Sequence, residues 1–197
     1  KPLRDIAGKP MIVRVYERAV RAKLVQDVVV ATDDERIRAA VEEYGGRAVM
    51  TRVDHATGTD RLAEVAEKMT DYDLIINVQG DEPLIDPAVI DALVEPFLAD
   101  ETLSMATAKT LLRDDEEMAN PNNVKVITNQ CGNALYFSRA RIPYARNEGA
   151  KVYKHIGIYA YRRDFLLAYA RMAQTPLERS ESLEQLRALE NGHRIRV

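Results

Sequence analysis

Leu74-Ile75-Ile76-Asn77-Val78-Gln79-Gly80-Asp81-Glu82-Pro83 joins an apolar run to a glycine and two carboxylates. The apolar run is typical of a buried strand, and the glycine lets the backbone turn sharply behind it. The two carboxylates then emerge at the carboxyl end of the strand, where open α/β sheets bind their ligands. A carboxylate in this place can hold a hard cation such as Mg2+, which in turn holds phosphate oxygens. The alternative is a strand that ends in an ordinary charged turn.

On both sides of this run, short apolar strands alternate with helices. Such alternation predicts an α/β fold with a mostly parallel sheet that carries helices on both faces. The second half is richer in hairpins, but no linker or repeat divides residues 1–197, so we expect one domain. The predicted strands are 28–32, 48–51, 74–78, 104–112, 124–128, 134–138 and 153–162. The predicted helices are 10–23, 57–69, 87–98 and 181–190, with one more capped by Asp33 or Asp34 and ended by Gly45.

The composition is ordinary for a soluble globular protein, at 46% hydrophobic and 30% charged residues. A net charge of -3 gives no field that would draw the chain to nucleic acid or to a membrane. No apolar run approaches the roughly 18 residues that cross a bilayer. The single cysteine, Cys131, cannot form an internal disulfide, which fits a reducing cytoplasm. The three histidines are scattered, so no zinc site is predicted.

Polar residues also follow two other predicted strands. Ala31, Thr32 and Asp33 end the first strand, and they face the same crevice as Gln79 and Asp81. The best-known phosphate loops, GxGxxG and GxxxxGK[ST], are absent from the chain, and so is the GxSxG nucleophile elbow. Phosphate would therefore be held by a metal, by lysine and arginine, and by backbone N–H groups.

The loop that follows the second strand feeds a helix N terminus. It begins at Thr51-Arg52 and runs through His55 to Thr57-Gly58-Thr59. Such a terminus presents free N–H groups to an anion or to the edge of a base. The simpler interpretation is ordinary helix capping. The histidine has no second histidine four residues on, so loop polarity is a better interpretation than metal ligation.

A second polar group lies in the hairpin-rich half. His155, Gly157, Tyr159 and Tyr161 fall on one face of the strand 153–162. This mixture does not suit a dry core. It suits a wall that binds sugar hydroxyls, and it suits a dimer interface equally well, because tyrosine is enriched at interfaces.

Charged and amide side chains lie near this strand. Arg139 and Arg141 follow a predicted strand end, and Arg146 comes just beyond them. In the last helix, Glu181 and Gln185 stand four residues apart, which places two polar groups side by side. A solvated helix face is the alternative.

A series of motifs runs through nearly the whole chain in a fixed order: Lys1-Pro2-Leu3, Ala31-Thr32-Asp33, Thr51-Arg52, Gly58-Thr59-Asp60-Arg61, Gln79-Gly80-Asp81-Glu82-Pro83, Asn120-Pro121-Asn122, Ala134-Leu135-Tyr136-Phe137-Ser138-Arg139, Ile142-Pro143, His155-Ile156-Gly157-Ile158-Tyr159 and Leu183-Glu184-Gln185-Leu186-Arg187. QGDEP, YFSR and LEQLR are highly specific together, although each alone is not. In this order the motifs resemble the 3-deoxy-manno-octulosonate cytidylyltransferases, also called CMP-Kdo synthetases.

The resemblance implies a reaction, a cofactor and an assembly. CTP and the sugar acid Kdo would react, with Mg2+, to give CMP-Kdo and pyrophosphate for lipopolysaccharide synthesis. The fold would be a nucleotidyltransferase-type, Rossmann-like α/β domain with an inserted hairpin and dimerisation region at roughly 120–165. The family forms cytoplasmic homodimers and uses neither nucleic acid nor a membrane as partner.

The resemblance also carries residue roles onto this chain. Asp81 would hold Mg2+, and Lys1 would match the lysine that closes the phosphate-binding loop. Gln79 would contact the nucleotide or the sugar across the metal site. The residues around cytidine would be Ala31, Thr32, Asp33, Arg52, Thr57, Gly58 and Thr59. The Kdo pocket would be lined by Arg146, His155, Tyr159, Glu181 and Gln185.

The chain also departs from the family pattern, and rival functions stay open. The family opens with a strand and a basic loop, I-P-A-R-x-x-S-x-R-L-P-G, of which only the end is present at Lys1. Its second metal-binding aspartate, in D-T-P-x-D-L, would lie beyond Val197, so we expect both ends of the full polypeptide to be missing here. The rivals are CMP-sialic acid synthetase, a nucleotide sensor without catalysis, and a phosphoacceptor domain built on Asp33-Asp34.

Overall fold

The computed structural model describes residues 1–197. Its strands are β1 (Asp5–Ile6), β2 (Lys9–Pro10), β3 (Val30–Thr32), β4 (Ala48–Met50), β5 (Leu74–Asn77), β6 (Met105–Leu111), β7 (Lys125–Thr128), β8 (Ala134–Ser138), β9 (Tyr153–Arg162) and β10 (Ile195–Arg196). Its helices are α1 (Met11–Ala19), α2 (Glu35–Glu43), α3 (Gly58–Lys68), α4 (Pro87–Ala99), α5 (Asp115–Ala119), α6 (Arg163–Tyr169), α7 (Pro176–Glu181) and α8 (Gln185–Glu190). No helix is long and apolar enough to cross a bilayer.

The main sheet has six strands and is built around β9. Strand β6 runs antiparallel along one edge of β9, while β5 and β7 share the other edge. Strand β8 pairs with β7, and β10 joins β6 in the one parallel pair of this sheet. The predicted α/β class is therefore confirmed, but the sheet is mixed rather than mostly parallel. The reason is the long strand β9, which returns antiparallel between its neighbours.

Helices cover both faces of this sheet. Tyr161 of β9 packs on one side with residues of α3, α6 and α8, such as Leu166. The next residue back, Ala160, faces the other side, where Leu93 and Phe97 of α4 and the end of α1 cover it. Neighbouring strand residues point to opposite faces, so β9 contributes to both layers of the core.

A separate two-stranded parallel sheet consists of β3 and β4. Helix α1 joins it to the main sheet, because Val13 packs with Val30 and Val41 while Ala19 reaches the core under α4. Strands β3 and β5 do not pair with each other. Both line a largely apolar groove of about 720 Å3 that runs up to Gln79.

The predicted helix 181–190 is wrong as a single element. Ser182 adopts the left-handed conformation (φ 51, ψ 50) and divides this stretch into α7 and α8. The N–H of Leu183 closes the end of α7 by donating to the carbonyl of Glu178. Helices α5, capped by Asp114, and α6 were not predicted from the sequence.

Candidate active site

Asp81 and Lys1 form the first pair of the candidate site. Asp81 lies just beyond β5, and its Oδ2 atom is 2.6 Å from Nζ of Lys1. The lysine is brought there because Ile12 N–H, at the start of α1, donates to the carbonyl of Pro2. Both side chains are largely open to solvent, with relative exposures of 72% for the lysine and 47% for the aspartate. A cation and a carboxylate therefore meet at an accessible position.

Gly80, in the turn before Asp81, packs closely against α1. A Cβ atom at Gly80 would lie 3.2 Å from Cδ1 of Ile12 on α1, closer than ordinary contact. Gly80 and Gln79 line the groove together with Ala31 and Gly58. Three predicted nucleotide residues, from three separate elements, thus line one groove.

Arg61 links the ends of β3 and β4. Its NH1 atom donates to the Thr51 hydroxyl at 2.7 Å and lies 3.1 Å from Oδ1 of Asp33. The bond from Arg61 lowers the pKa of Asp33. Thr32, predicted beside Asp33, is buried, and its hydroxyl accepts the N–H of Asp34. Its side chain therefore shapes the strand end.

Sequence reasoning did not assign Arg61 to the site. The available signal was its place at the end of Gly58-Thr59-Asp60-Arg61, on the first turn of α3. Its side chain reaches the groove because α3 lies against β3.

The N terminus of α3 is capped as the simpler interpretation predicts. Thr57 accepts the N–H of Asp60, and the Asp60 carboxylate accepts the N–H and hydroxyl of Thr57. This capping box leaves the N–H groups of Gly58 and Thr59 in the first turn without acceptors inside the helix. The Thr59 hydroxyl is not free, because it donates to Oε2 of Glu184 at 2.9 Å.

Arg52 lies apart from this cluster. Its side chain points to Asp54 at 3.4 Å, and it lines a second pocket of about 420 Å3 together with His55 and Glu64. Bonds from Lys68, the Arg52 N–H and His55 lower the pKa of Glu64 to about 2. His55 thus has a carboxylate partner and belongs to loop structure, as expected.

The expectation that four polar and aromatic residues form one open face of β9 is wrong in part; they are His155, Gly157, Tyr159 and Tyr161. A bulge at Thr107/Ala108 of β6 shifts the register opposite Gly157, so the four residues do not share one environment. Gly157 is exposed and Tyr159 half-buried, whereas Tyr161 is 2% exposed and belongs to the core.

His155 is buried between aromatic rings. Its Nε2 atom is 2.8 Å from the Thr107 hydroxyl, and its ring lies 5.0 Å from Phe137 and 5.4 Å from Tyr159. Burial lowers its pKa to about 4, so the imidazole is neutral at pH 7. Tyr159 touches the same ring, so these two predicted sugar residues do lie together.

Glu181 and Gln185 do not form the expected helical pair, because they belong to different helices. The Glu181 carboxylate accepts the Ser138 hydroxyl at 2.7 Å and the Arg139 N–H at 2.9 Å. Burial disfavours the charged form of Glu181, but these bonds outweigh burial and lower its pKa. Gln185 is 4% exposed at the start of α8. Arg146 is exposed in the loop between β8 and β9 and has no side-chain hydrogen bond or ion pair.

Comparisons with known proteins show the family of this chain. The family described as cytidylyltransferase matches residues 1–195. A 3-deoxy-manno-octulosonate cytidylyltransferase from Geobacter metallireducens is 54% identical over 209 residues, covering 100% of this chain and 82% of the relative. The enzyme of that name from Fusobacterium nucleatum is 54% identical over 198 residues, covering 100% and 80%.

Solved structures give the same result. A CMP:2-keto-3-deoxy-manno-octonic acid synthetase complexed with CTP has a TM-score of 0.96 at 50% identity, covering 100% of this chain and 81% of that one. A 4-diphosphocytidyl-2C-methyl-D-erythritol synthase from Anaerococcus prevotii, at 12% identity and a TM-score of 0.62, shares the fold alone. The chain therefore belongs to the cytidylyltransferase family and, within it, to the 3-deoxy-manno-octulosonate cytidylyltransferases.

Proposed function

We propose that this protein transfers the cytidylyl group of CTP to Kdo and so activates the sugar acid for lipopolysaccharide synthesis. A hydroxyl oxygen of the sugar bonds to the α-phosphorus of CTP, the α–β phosphoanhydride bond breaks, and pyrophosphate leaves as the hydroxyl proton is lost. The observation that carries this proposal is the Lys1–Asp81 pair at the carboxyl end of β5, beside Gln79 and Gly80. The names of relatives that match the whole of this chain supply the substrates.

The chain can favour this reaction by position and charge. Both substrates are anions that repel each other in water, so the ammonium group of Lys1 offsets negative charge where the phosphates meet the sugar. The free N–H groups of Gly58 and Thr59 face the nucleotide at the start of α3. Holding both substrates in line supplies much of the remaining acceleration, and no protein nucleophile is required.

Magnesium fits the donor chemistry at Asp81. The carboxylate is exposed and hard, and Mg2+ commonly binds one or two carboxylates together with substrate phosphates. The chain has no cluster of three or more histidine, cysteine, aspartate or glutamate side chains that could bind a metal ion by itself. The ion would therefore need substrate oxygens as further ligands. When bound, the ion would neutralise phosphate charge and polarise the phosphoryl oxygens.

His155 and Tyr159 are the residues that we assign to the sugar. The neutral His155 is held by Thr107, so it can present only an uncharged polar edge to a hydroxyl group. The two carboxylate oxygens of Glu181 already accept hydrogen bonds from the Ser138 hydroxyl and the Arg139 N–H. Glu181 therefore acts on the sugar indirectly, by holding the end of β8.

The assembly we propose is a cytoplasmic homodimer formed through the hairpin-rich part at 120–165. Leu135 on β8 is 58% exposed and Tyr144 in the next loop is 89% exposed, and such apolar side chains suit an interface. Cys131 is a free thiol, which fits a reducing compartment.

Pyrophosphate release by the full-length protein tests the function. We expect release with CTP, Mg2+ and Kdo but not with sialic acid, and a loss of at least about a hundredfold in the Asp81→Ala variant. Glu95→Ala, which removes an exposed carboxylate on α4, is the matched control and should keep the rate. CTP binding without release with either sugar would favour a nucleotide sensor, and release with sialic acid would favour that rival synthetase.

A further inference from the structure

Glu184 connects two parts of the site that are far apart in sequence. Its Oε2 atom accepts the Thr59 hydroxyl at 2.9 Å across 125 residues. Thr59 stands on the first turn of α3, beside Gly58 and the groove, whereas Glu184 directly precedes α8 and Gln185. One hydrogen bond therefore joins the nucleotide side of the site to the sugar side.

The Glu184 side chain is held rigidly but is incompletely satisfied. Its Oε1 atom is buried without a hydrogen bond, and the nearest cation, NH2 of Arg187, is 3.5 Å away. Arg187 is already fixed by two bonds to Glu178, at 2.8 and 2.5 Å. Burial raises the pKa of Glu184. A buried carboxylate oxygen without a hydrogen bond costs stability, so this side chain is a candidate for a functional role.

The backbone of Glu184 is also anchored. Its carbonyl accepts the Tyr169 hydroxyl at 2.6 Å, and the ring of Tyr169 lies against Tyr161 and under the Arg187 guanidinium. Glu184 is thus fixed to the core at one end and to the start of α3 at the other.

We propose that Glu184 is a positioning residue that fixes the N terminus of α3, and with it the nucleotide, relative to α8, which begins at the predicted sugar residue Gln185. This inference rests on the proposed cytidylyl transfer. It requires no contact between Glu184 and either substrate. Because alignment of two bound reactants sets the rate of their reaction, loss of the Thr59–Glu184 bond should act on kcat rather than on binding.

The test uses isosteric variants of the full-length protein. Thr59→Val removes the donor, and Glu184→Leu removes the acceptor. We expect each to lower kcat at least about tenfold, with KM for CTP and Kdo and the calorimetric Kd for CTP within about twofold. The kcat of the double variant should be no lower than that of the less active single variant, because both substitutions remove the same hydrogen bond. Thr59→Ser and Glu184→Gln keep a donor and an acceptor, so they should recover most of the rate and show that folding is intact.

Thr102→Val is the matched control. It removes another hydroxyl–carboxylate bond, to Asp100 at 2.6 Å, outside the groove, and it should leave kcat unchanged. Unchanged kcat in Glu184→Leu, a loss confined to KM, or failure of both conservative variants would overturn the positioning role. If the wild-type protein does not turn over, the proposed function and this inference both fail. An active wild type with an active Glu184→Leu variant would refute the inference alone.

Discussion

At the scale of single residues, buried polar side chains determine how the site is built. From the sequence we expected His155 and Glu181 at a sugar pocket, and Glu184 only as part of the LEQLR motif. In the structure each of the three makes a hydrogen bond to a distant strand or helix: His155 to Thr107, Glu181 to Ser138 and Glu184 to Thr59. A buried polar group without a partner is costly, so such residues constrain the fold strongly.

The buried imidazole of His155 makes a prediction about pH. Its pKa is about 4 when folded, against 6.5 for the ordinary group, because burial disfavours the charged form. The unfolded chain therefore binds more protons between these values, so this contribution to stability is present above pH 6.5 and is lost as the pH falls toward 4. We expect His155 to account for a loss of about 2 kcal/mol of unfolding free energy between pH 7 and pH 5.

Urea denaturation at the two pH values measures this effect. The His155→Gln variant should lack this part of the pH dependence, although it will be less stable at pH 7. His193, half-buried near the chain end, offers a control, and His193→Gln should keep the pH dependence. An unchanged slope in His155→Gln would contradict the buried neutral imidazole.

At the scale of elements, helix caps and strand ends lie close to where the sequence predicts them, but the break between α7 and α8 was not predicted. The capping box at Thr57 and the caps at Asp34 and Asp86 follow from residue type and spacing. The break between α7 and α8 does not, because Ser182 is not a residue that usually ends a helix in the left-handed conformation. Packing of Leu183 and Leu186 into the main core overrides local preference there.

Replacement of Ser182 tests this account of the break. Ser182→Gly should raise the unfolding free energy by roughly 0.5–1 kcal/mol, because glycine adopts a positive φ without steric cost. Ser180→Gly, within α7, is the control and should lower it by about 1 kcal/mol. Thermal or urea unfolding of the two variants gives both values. Destabilisation by both changes would mean that the serine side chain supports the break.

At the scale of the whole molecule, the three apolar clusters act as one core. Helix α4 fills one face of the main sheet through Leu93, while α6 and α8 fill the other. Helix α1 carries the core on to β3 through Val13. Strand β9 lies in both layers, so we expect the two faces to unfold together.

A pair of substitutions on one helix tests this cooperativity. Leu93→Ala should cost roughly 2–5 kcal/mol, because the residue is 3% exposed, whereas Leu98→Ala, at 73% exposure, should change stability little. In Leu93→Ala, circular dichroism and the fluorescence of the tyrosines on the opposite face should still lose signal in one coincident transition. Two separate transitions would show that the faces fold as independent units.

The sequence by itself determined the α/β class, most strands and caps, the Asp81 turn and the family. These follow from short-range patterns, namely apolar runs, capping residues and a rare set of motifs, which act within a few residues of each other. Tertiary structure alone decided that the sheet is mixed and that Arg52 lies apart from Ala31 and Gly58. It also decided that Arg61 lines the groove and that Glu184 accepts the Thr59 hydroxyl. Those contacts depend on how strands pair and on which side chains must find partners once buried, and both are settled only when distant segments meet.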